Sequence, residues 1–135
     1  MTSSPAPRGA LHHVELWVPD LFTARPRWAW LLTELGYKPF QAWEHGCSFR
    51  LGPTYLVLEQ SAALHGDRHE RRRPGLNHLA FHAGSPEDLE ELVSASSDHG
   101  WHLLFAEQHP FAGGQQHYAA YLEDGDGYEV ELVAR

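Results

Sequence analysis

Two short stretches of the chain alternate apolar and polar side chains behind a histidine. After His13, Val14, Leu16 and Val18 alternate with Glu15 and Trp17; after His78, Leu79 and Phe81 alternate with Ala80 and His82. Strand side chains have a period of two, so each stretch predicts a strand with one apolar face and one histidine-bearing face. The alternation returns near the end of each half, where it carries carboxylates. Leu56 and Leu58 oppose Tyr55, Val57 and Glu59, and Tyr128, Val130 and Leu132 oppose Glu129 and Glu131. If the apolar faces pack on helices, the other faces carry two histidines and at least two glutamates, which is a metal-ligand set.

Between the strands the period lengthens. Ala24, Trp28, Leu31, Leu32 and Leu35 recur in steps of three and four and predict a helix, with Asp20 or Thr23 to cap it and Gly36 to end it. Pro26 is expected in its first turn, the only part of a helix that accommodates proline freely. Residues 37–59 then have room for three strands, broken at 44–46 and 51–53. The second half repeats this order. Ser85 is a cap, Pro86 the first helical residue, Glu87 and Asp88 acids of the first turn, and Leu89, Leu92, Val93 and Ser96 one face of a helix stopped by Gly100.

The distance from histidine to stopping glycine is 23 residues in the first half (13 to 36) and 22 in the second (78 to 100). From that glycine to the glutamate it is 23 residues (36 to 59) and then 31 (100 to 131). The surplus falls around His109–His117, an enlarged loop of the kind that often carries function. The expected architecture is α+β, an internal βαβββ repeat: a loose tail over 1–10, a first module over 11–60, a solvated linker over 61–74 and a second module over 75–135. Arg71, Arg72 and Arg73 fall in the linker as a solvated charge run, with anion binding as the alternative.

Composition narrows the partners. The chain has 135 residues, one domain's worth, and a formal net charge of −8, so no basic face would offset phosphate repulsion and nucleic acid is excluded. Eleven histidines make the true charge sensitive to pH just below neutrality. Cys47 is the one cysteine, so there is neither a disulfide framework nor a cysteine zinc site, and it reads as a small packing residue. The start lacks the regions of a signal peptide and no apolar run approaches a membrane span, which points to a cytoplasmic protein without membrane contact.

The stretches His12-His13-Val-Glu-Leu-Trp-Val-Pro-Asp-Leu21, Leu35-Gly36-Tyr37, His78-Leu-Ala-Phe81 and Asp124-Gly-Asp-Gly-Tyr-Glu-Val-Glu-Leu132 together resemble the vicinal oxygen chelate superfamily. That group holds glyoxalases, bleomycin-resistance proteins and extradiol dioxygenases. The resemblance spans nearly everything from Leu11 to Val133; Gly125 stands where many relatives have proline, which alters a turn and not a ligand. It implies paired βαβββ modules whose sheet curls into a cup, with helices outside and one divalent ion inside. The implied ligands are His13, Glu59, His78 and Glu131; His12 has the helix-facing parity and is set aside.

Two imidazoles and two carboxylates suit zinc, nickel, iron, manganese or cobalt. The chemistry implied is a glyoxalase-type lyase or isomerase acting on a small carbonyl substrate, with Glu59 or Glu131 as proton acceptor. Glu15, Trp17, His82 and Glu129 share the parity of the ligands and are candidate pocket residues, as is Tyr118, with Tyr121, Phe49 and Arg50 behind them. Glu15 is a possible substitute ligand. Trp28 lies on the apolar helix face and Trp30 off it, a hint of a homodimer interface.

Two other readings are open. An extradiol-type ring-cleaving dioxygenase would use His13, His78 and Glu131, and Glu59 counts against it by taking a position that oxygen needs. A non-catalytic drug- or metabolite-sequestering protein would use Trp17, Trp43 and Tyr55, with the acidic charge attracting a cation.

Overall fold

The alternation around each histidine does form a strand, and in each half that strand pairs in parallel with the last strand of the same half. The structure, a computed structural model, describes residues 5–135, so the first four residues of the expected tail lie outside it. The described chain divides into two compact units, Met1–Asp67 and Arg68–Arg135. The first contains β1 (His13–Trp17), α1 (Leu21–Glu34), β2 (Lys38–Trp43), β3 (Gly46–Leu51) and β4 (Thr54–Glu59). The second contains β5 (His78–His82), α2 (Pro86–Ser96), a short 3-10 turn (Ser97–His99), β6 (Trp101–Leu104), β7 (Ala119–Asp124) and β8 (Glu129–Val133). Each is βαβββ, and the fold is α+β.

The four strands of each unit form a sheet of their own, in the order β1-β4-β3-β2 and β5-β8-β7-β6. Parallel β1 and β4, or β5 and β8, cannot be joined by a tight turn, and the helix supplies the crossover. In the first unit Ala24, Trp28, Leu31 and Leu32 of α1 are buried, as are Leu16, Cys47, Phe49, Leu56 and Leu58, which share the strand parity opposite to His13. In the second, Leu89 of α2, Trp101, Ala120, Leu122, Val130 and Leu132 make the equivalent core.

Local chemistry sets the helix ends. Asp20 Oδ1 accepts from the Phe22 amide, and Ser85 and Asp88 form a reciprocal capping box. Gly36 and Gly100 take positive φ (98° and 85°), the left-handed turn that glycine enters most easily. Pro26 departs from expectation. Because Asp20 caps α1, the helix begins at Leu21 and proline sits inside its second turn. It is tolerated there on the exposed side, opposite the buried stripe.

The segment expected as a solvated linker is, over residues 68–74, packed onto the second sheet. His69 stacks on Tyr128 with ring centroids 4.4 Å apart, and its amide donates to the Asp126 carbonyl at 2.8 Å. Arg68 and Arg71 both bind the Glu123 carboxylate, at 3.3 and 3.2 Å. Among the described residues no helix is long and apolar enough to cross a membrane.

The docking of this segment depends on Gly127, where φ is 90° and an added Cβ would lie 2.2 Å from the His69 carbonyl oxygen. Gly127→Ala is expected to destabilise the chain by at least the roughly 1–2 kcal/mol of left-handed backbone strain. Urea unfolding reads the loss, and faster hydrogen exchange at the His69 amide locates it.

Candidate functional site

The second unit gathers its titratable side chains through strand register. His78 pairs with Glu129 and Ala80 with Glu131, so all four share one face of the sheet. Tyr121 stands opposite Glu131 and Glu123 opposite Glu129 on the same face. Ala80 is small, and the His78 ring crosses it diagonally to place Nε2 3.0 Å from Glu131 Oε1.

The other ring nitrogen is also committed. His78 Nδ1 is 2.6 Å from Asn77 Oδ1, and the Asn77 amide is oriented by Nδ2 donating to the Arg71 carbonyl at 3.0 Å. Both nitrogens of His78 therefore face acceptor oxygens, whereas a neutral imidazole has one N–H. An imidazolium donating from both nitrogens satisfies that arrangement, and so does a ring with Nδ1–H on Asn77 whose Nε2 shares a cation with Glu131.

A second imidazole meets the same carboxylate, with His117 Nε2 2.5 Å from Glu131 Oε2. Glu131 is 7% exposed. The phenol of Tyr121 is raised above its ordinary value by burial and by the negative charge of Glu131. His78, Glu131 and His117 thus meet pairwise through one carboxylate; among the described residues no group of three or more His, Cys, Asp or Glu side chains is placed to hold a metal ion.

His78 borders a pocket of about 460 Å³ whose wall also includes Arg71, Asn77, Phe105, Gln108 and Tyr121. Glu129, also on its wall, is buried, and desolvation raises its pKa although Arg71 Nε lies 3.1 Å away. The enlarged loop closes one side. It is tied to α2 through Glu90, which accepts from His109 Nε2 at 2.8 Å and from the Tyr118 hydroxyl. Gly113 lets it approach, because a Cβ there would sit 2.4 Å from the Tyr121 hydroxyl and 2.8 Å from His117 Cδ2.

Of the residues expected at the site, His78, Glu129 and Glu131 are together. Tyr118 is a correction: it precedes β7 with the helix-side parity and bonds Glu90, while Tyr121 lines the pocket. His82, at the exposed end of β5 opposite Val133, is displaced from Glu131 by a pleat repeat. His117, Arg71 and Asn77 were not singled out for the site from the sequence, although His117 does end the loop that the length comparison marked.

The first unit holds His13, Glu15, Trp17 and Glu59 on one face, but not as one group. The His13 ring stacks on Tyr55 at 4.9 Å, and its Nδ1 lies 2.9 Å from that of His12, which is exposed and not turned to the helix. Register corrects the assignment of Glu59. The N-caps Asp20 and Ser85 each follow their strand histidine by seven residues, so His13 corresponds to His78. The diagonal from His78 to Glu131 then runs from His13 to Val57, and Glu59 faces Trp17 instead. At about 3.3 Å per residue that is roughly 13 Å along the strand from the level of His13.

The family model of the Glyoxalase/Bleomycin resistance protein/Dioxygenase superfamily matches residues 12–121. The chain belongs to that superfamily. Within it, the chain is 45% identical over 126 residues to the uncharacterized protein YqjT of Bacillus subtilis (strain 168), covering 92% of this chain and 98% of YqjT. A crystal structure of a candidate glyoxalase from Bacillus halodurans is also 45% identical, with a TM-score of 0.89, covering 95% of this chain and 97% of that one. At 19% identity and a TM-score of 0.65, FosX of Listeria monocytogenes, a fosfomycin resistance protein, shares the fold over 93% of this chain and 89% of its own.

Glu90 governs how firmly the enlarged loop is held. Burial raises its pKa, but hydrogen bonds from Tyr118 and His109 outweigh this and leave it below the ordinary carboxylate value, while Tyr118 is raised by its bond to Glu90. A depressed carboxylate stabilises above its unfolded pKa and loses that contribution as pH falls through the folded value; a raised phenol stabilises below its unfolded pKa and loses it as pH rises through the folded one. Amide protection of residues 105–118 is therefore expected to be greatest between those two ranges. Glu90→Gln should flatten the acid side of that profile in hydrogen exchange.

Proposed function

We propose that the chain is a divalent-metal-dependent enzyme of the glyoxalase type, a lyase or isomerase that moves a proton next to a polarised carbonyl of a small substrate. The observation that supports it is the His78 ring, whose Nδ1 is committed to Asn77 and whose Nε2 faces the buried Glu131. His78 and Glu131 would hold the ion, with His117 as a second imidazole on the same carboxylate. Two imidazoles and a carboxylate are a donor set for zinc, nickel, iron, manganese or cobalt. FosX, with the same fold, was crystallised with Mn(II). A bound divalent ion supplies Lewis acidity to a substrate oxygen.

The remaining chemistry rests with the chain. Phe105 and Tyr121 would give a substrate apolar and aromatic contact in the pocket beside His78. Glu131, buried beside His78, is the proton acceptor. Glu59 is withdrawn as acceptor and ligand by its register.

That correction favours one competing reading. With Glu59 removed, two histidines and one carboxylate leave positions open for oxygen and a catecholate, as a ring-cleaving dioxygenase with iron requires. Consumption of dissolved oxygen by iron-loaded protein with catechols would support it; metal-dependent proton exchange without oxygen uptake supports the lyase or isomerase. A homodimer is part of the proposal, and sedimentation of the purified chain checks it.

Purified chain should take up one Mn(II) or Zn(II), measured by elemental analysis after dialysis and by calorimetry. His78→Ala and Glu131→Gln are each expected to weaken binding at least tenfold, about 1.4 kcal/mol, and Glu59→Gln to leave it unchanged. His13→Ala reads separately the ligand that the family resemblance assigns to the first strand. Absence of uptake by wild type, or equal affinity in Glu131→Gln, would sink the metal reading.

A further inference from the structure

One wall of the pocket beside His78 carries a carboxylate that the second unit leaves unmatched. Glu129 is 5% exposed, and its Oε1 is buried without a hydrogen-bond partner among the described residues. Arg71 Nε lies 3.1 Å from that oxygen, but its N–H is spent on Glu123 Oε2 at 3.2 Å. The other oxygen, Oε2, stands 3.9 Å from His78 Nδ1, beyond hydrogen-bond length, and that nitrogen is taken by Asn77. A buried carboxylate that accepts nothing from its own chain has given up water without replacement, which is uncommon.

The cation beside it is also incompletely used. Arg71 meets both glutamates through Nε alone, and among the described residues nothing bonds its two terminal nitrogens. Arg71 and Glu129 both lie on the pocket wall, so one corner of the pocket offers a donor and an acceptor side by side. Arg68 and Arg71 balance Glu123 and Glu129 there, and the corner carries no net charge. An ion placed in it would meet one attractive and one repulsive neighbour. A neutral group that donates and accepts along one edge meets neither penalty.

Phe105, on the same pocket wall, supplies an independent observation. Its φ is 54°, and no other non-glycine residue among the described ones has a positive φ. The turn asks only for that backbone, whose carbonyl accepts from the Gln108 and His109 amides at 3.0 Å. Glycine would supply it without strain. The chain instead places there an exposed ring, in edge contact with Tyr121 at 5.6 Å. Backbone strain kept for an exposed aromatic on a pocket wall points to a contact with a ligand.

We propose that this corner binds a carboxamide carried by the substrate in addition to its reacting carbonyl. The amide N–H donates to Glu129, the amide oxygen accepts from the terminal nitrogens of Arg71, and an aromatic group attached to the amide packs on Phe105. That pairing rests on the pocket being the substrate site of the proposed enzyme, and it names the substrate class as a small aromatic carboxamide.

Benzamide, N,N-dimethylbenzamide, benzoate and benzylammonium are titrated into the full chain by calorimetry, with and without Mn(II), and metal content is measured on the same samples. Benzamide is expected to bind saturably, and the dimethyl amide, which has no N–H, roughly tenfold more weakly. Phe105→Gly should weaken benzamide by a similar factor while circular dichroism and the urea midpoint stay close to those of wild type. Glu129→Gln keeps the volume beside Arg71 but loses the charge, and should weaken benzamide about threefold or more. Equal binding of benzamide and its dimethyl derivative, or of benzamide by wild type and either variant, overturns the subsite. So does tighter binding of benzoate, in favour of an anion on Arg71, or of benzylammonium, in favour of a cation on Glu129. Benzamide bound by protein that takes up no metal supports the subsite and removes the metal reading alone. Metal taken up by protein that binds none of the probes overturns the subsite alone.

Discussion

Parallel pairing of the first strand of each unit with its last decides what that half of the chain can do. A side chain on one strand meets not only its partner but the residue two further along, on the same face. In the second unit this diagonal joins His78 to Glu131 across Ala80. In the first unit the same diagonal joins His13 to Val57, which is buried and apolar. Both halves thus have the imidazole at the start of the frame, and only the second has an acid at the diagonal that answers it. The repeat conserves scaffold geometry while its two polar faces take up different chemistry.

The geometry at His78 is held from outside the sheet. Asn77 orients the ring, the Arg71 carbonyl orients Asn77, and the guanidinium of the same arginine sits between Glu123 and Glu129. Arg71 is only 23% exposed and Glu129 less, so this ion pair lies beyond the weak regime of surface salt bridges. Loss of Arg71 would leave the Glu129 carboxylate buried without its cation, at a cost of about 3–5 kcal/mol. The tight fit at Gly127, which admits the segment carrying Arg71 and Asn77, therefore bears on a histidine it never touches.

Local periodicity made much of this legible. The strand faces, both helix stripes, the Ser85 cap and the glycine stops follow from spacing and cap chemistry within a few residues, and the structure has them. Glu59 came with the family resemblance, which matches positions along the chain, whereas ligand geometry depends on register between strands, and register sets Glu59 opposite Trp17. Tyr118 and Tyr121 were indistinguishable for a related reason: parity in β7 depends on its beginning at Ala119, which the loop ahead of it conceals. Arg71, Asn77 and His117 reach the site from irregular segments. Their contacts with Glu123, His78 and Glu131 join turns and loops to strands, and no periodic pattern records them. The arginine run read as solvent-facing because its composition is the same whether or not a buried glutamate waits for one of its members.

Membership of a superfamily does not choose between its reactions, because two imidazoles and a carboxylate serve proton transfer and oxygen activation equally. The surroundings discriminate better. Around Glu131 stand His78, His117 and Tyr121, and two residues before it the buried Glu129, whose proton affinity is raised by desolvation. Proton transfer beside a carbonyl needs an acceptor and a route by which the proton leaves and returns, all within a part-dry pocket. Ring cleavage asks chiefly for open metal positions and room for a planar ring. A site that surrounds its one shared carboxylate with proton-exchanging groups is furnished for the first of these, and that favours the proposed lyase or isomerase over the proposed ring cleavage.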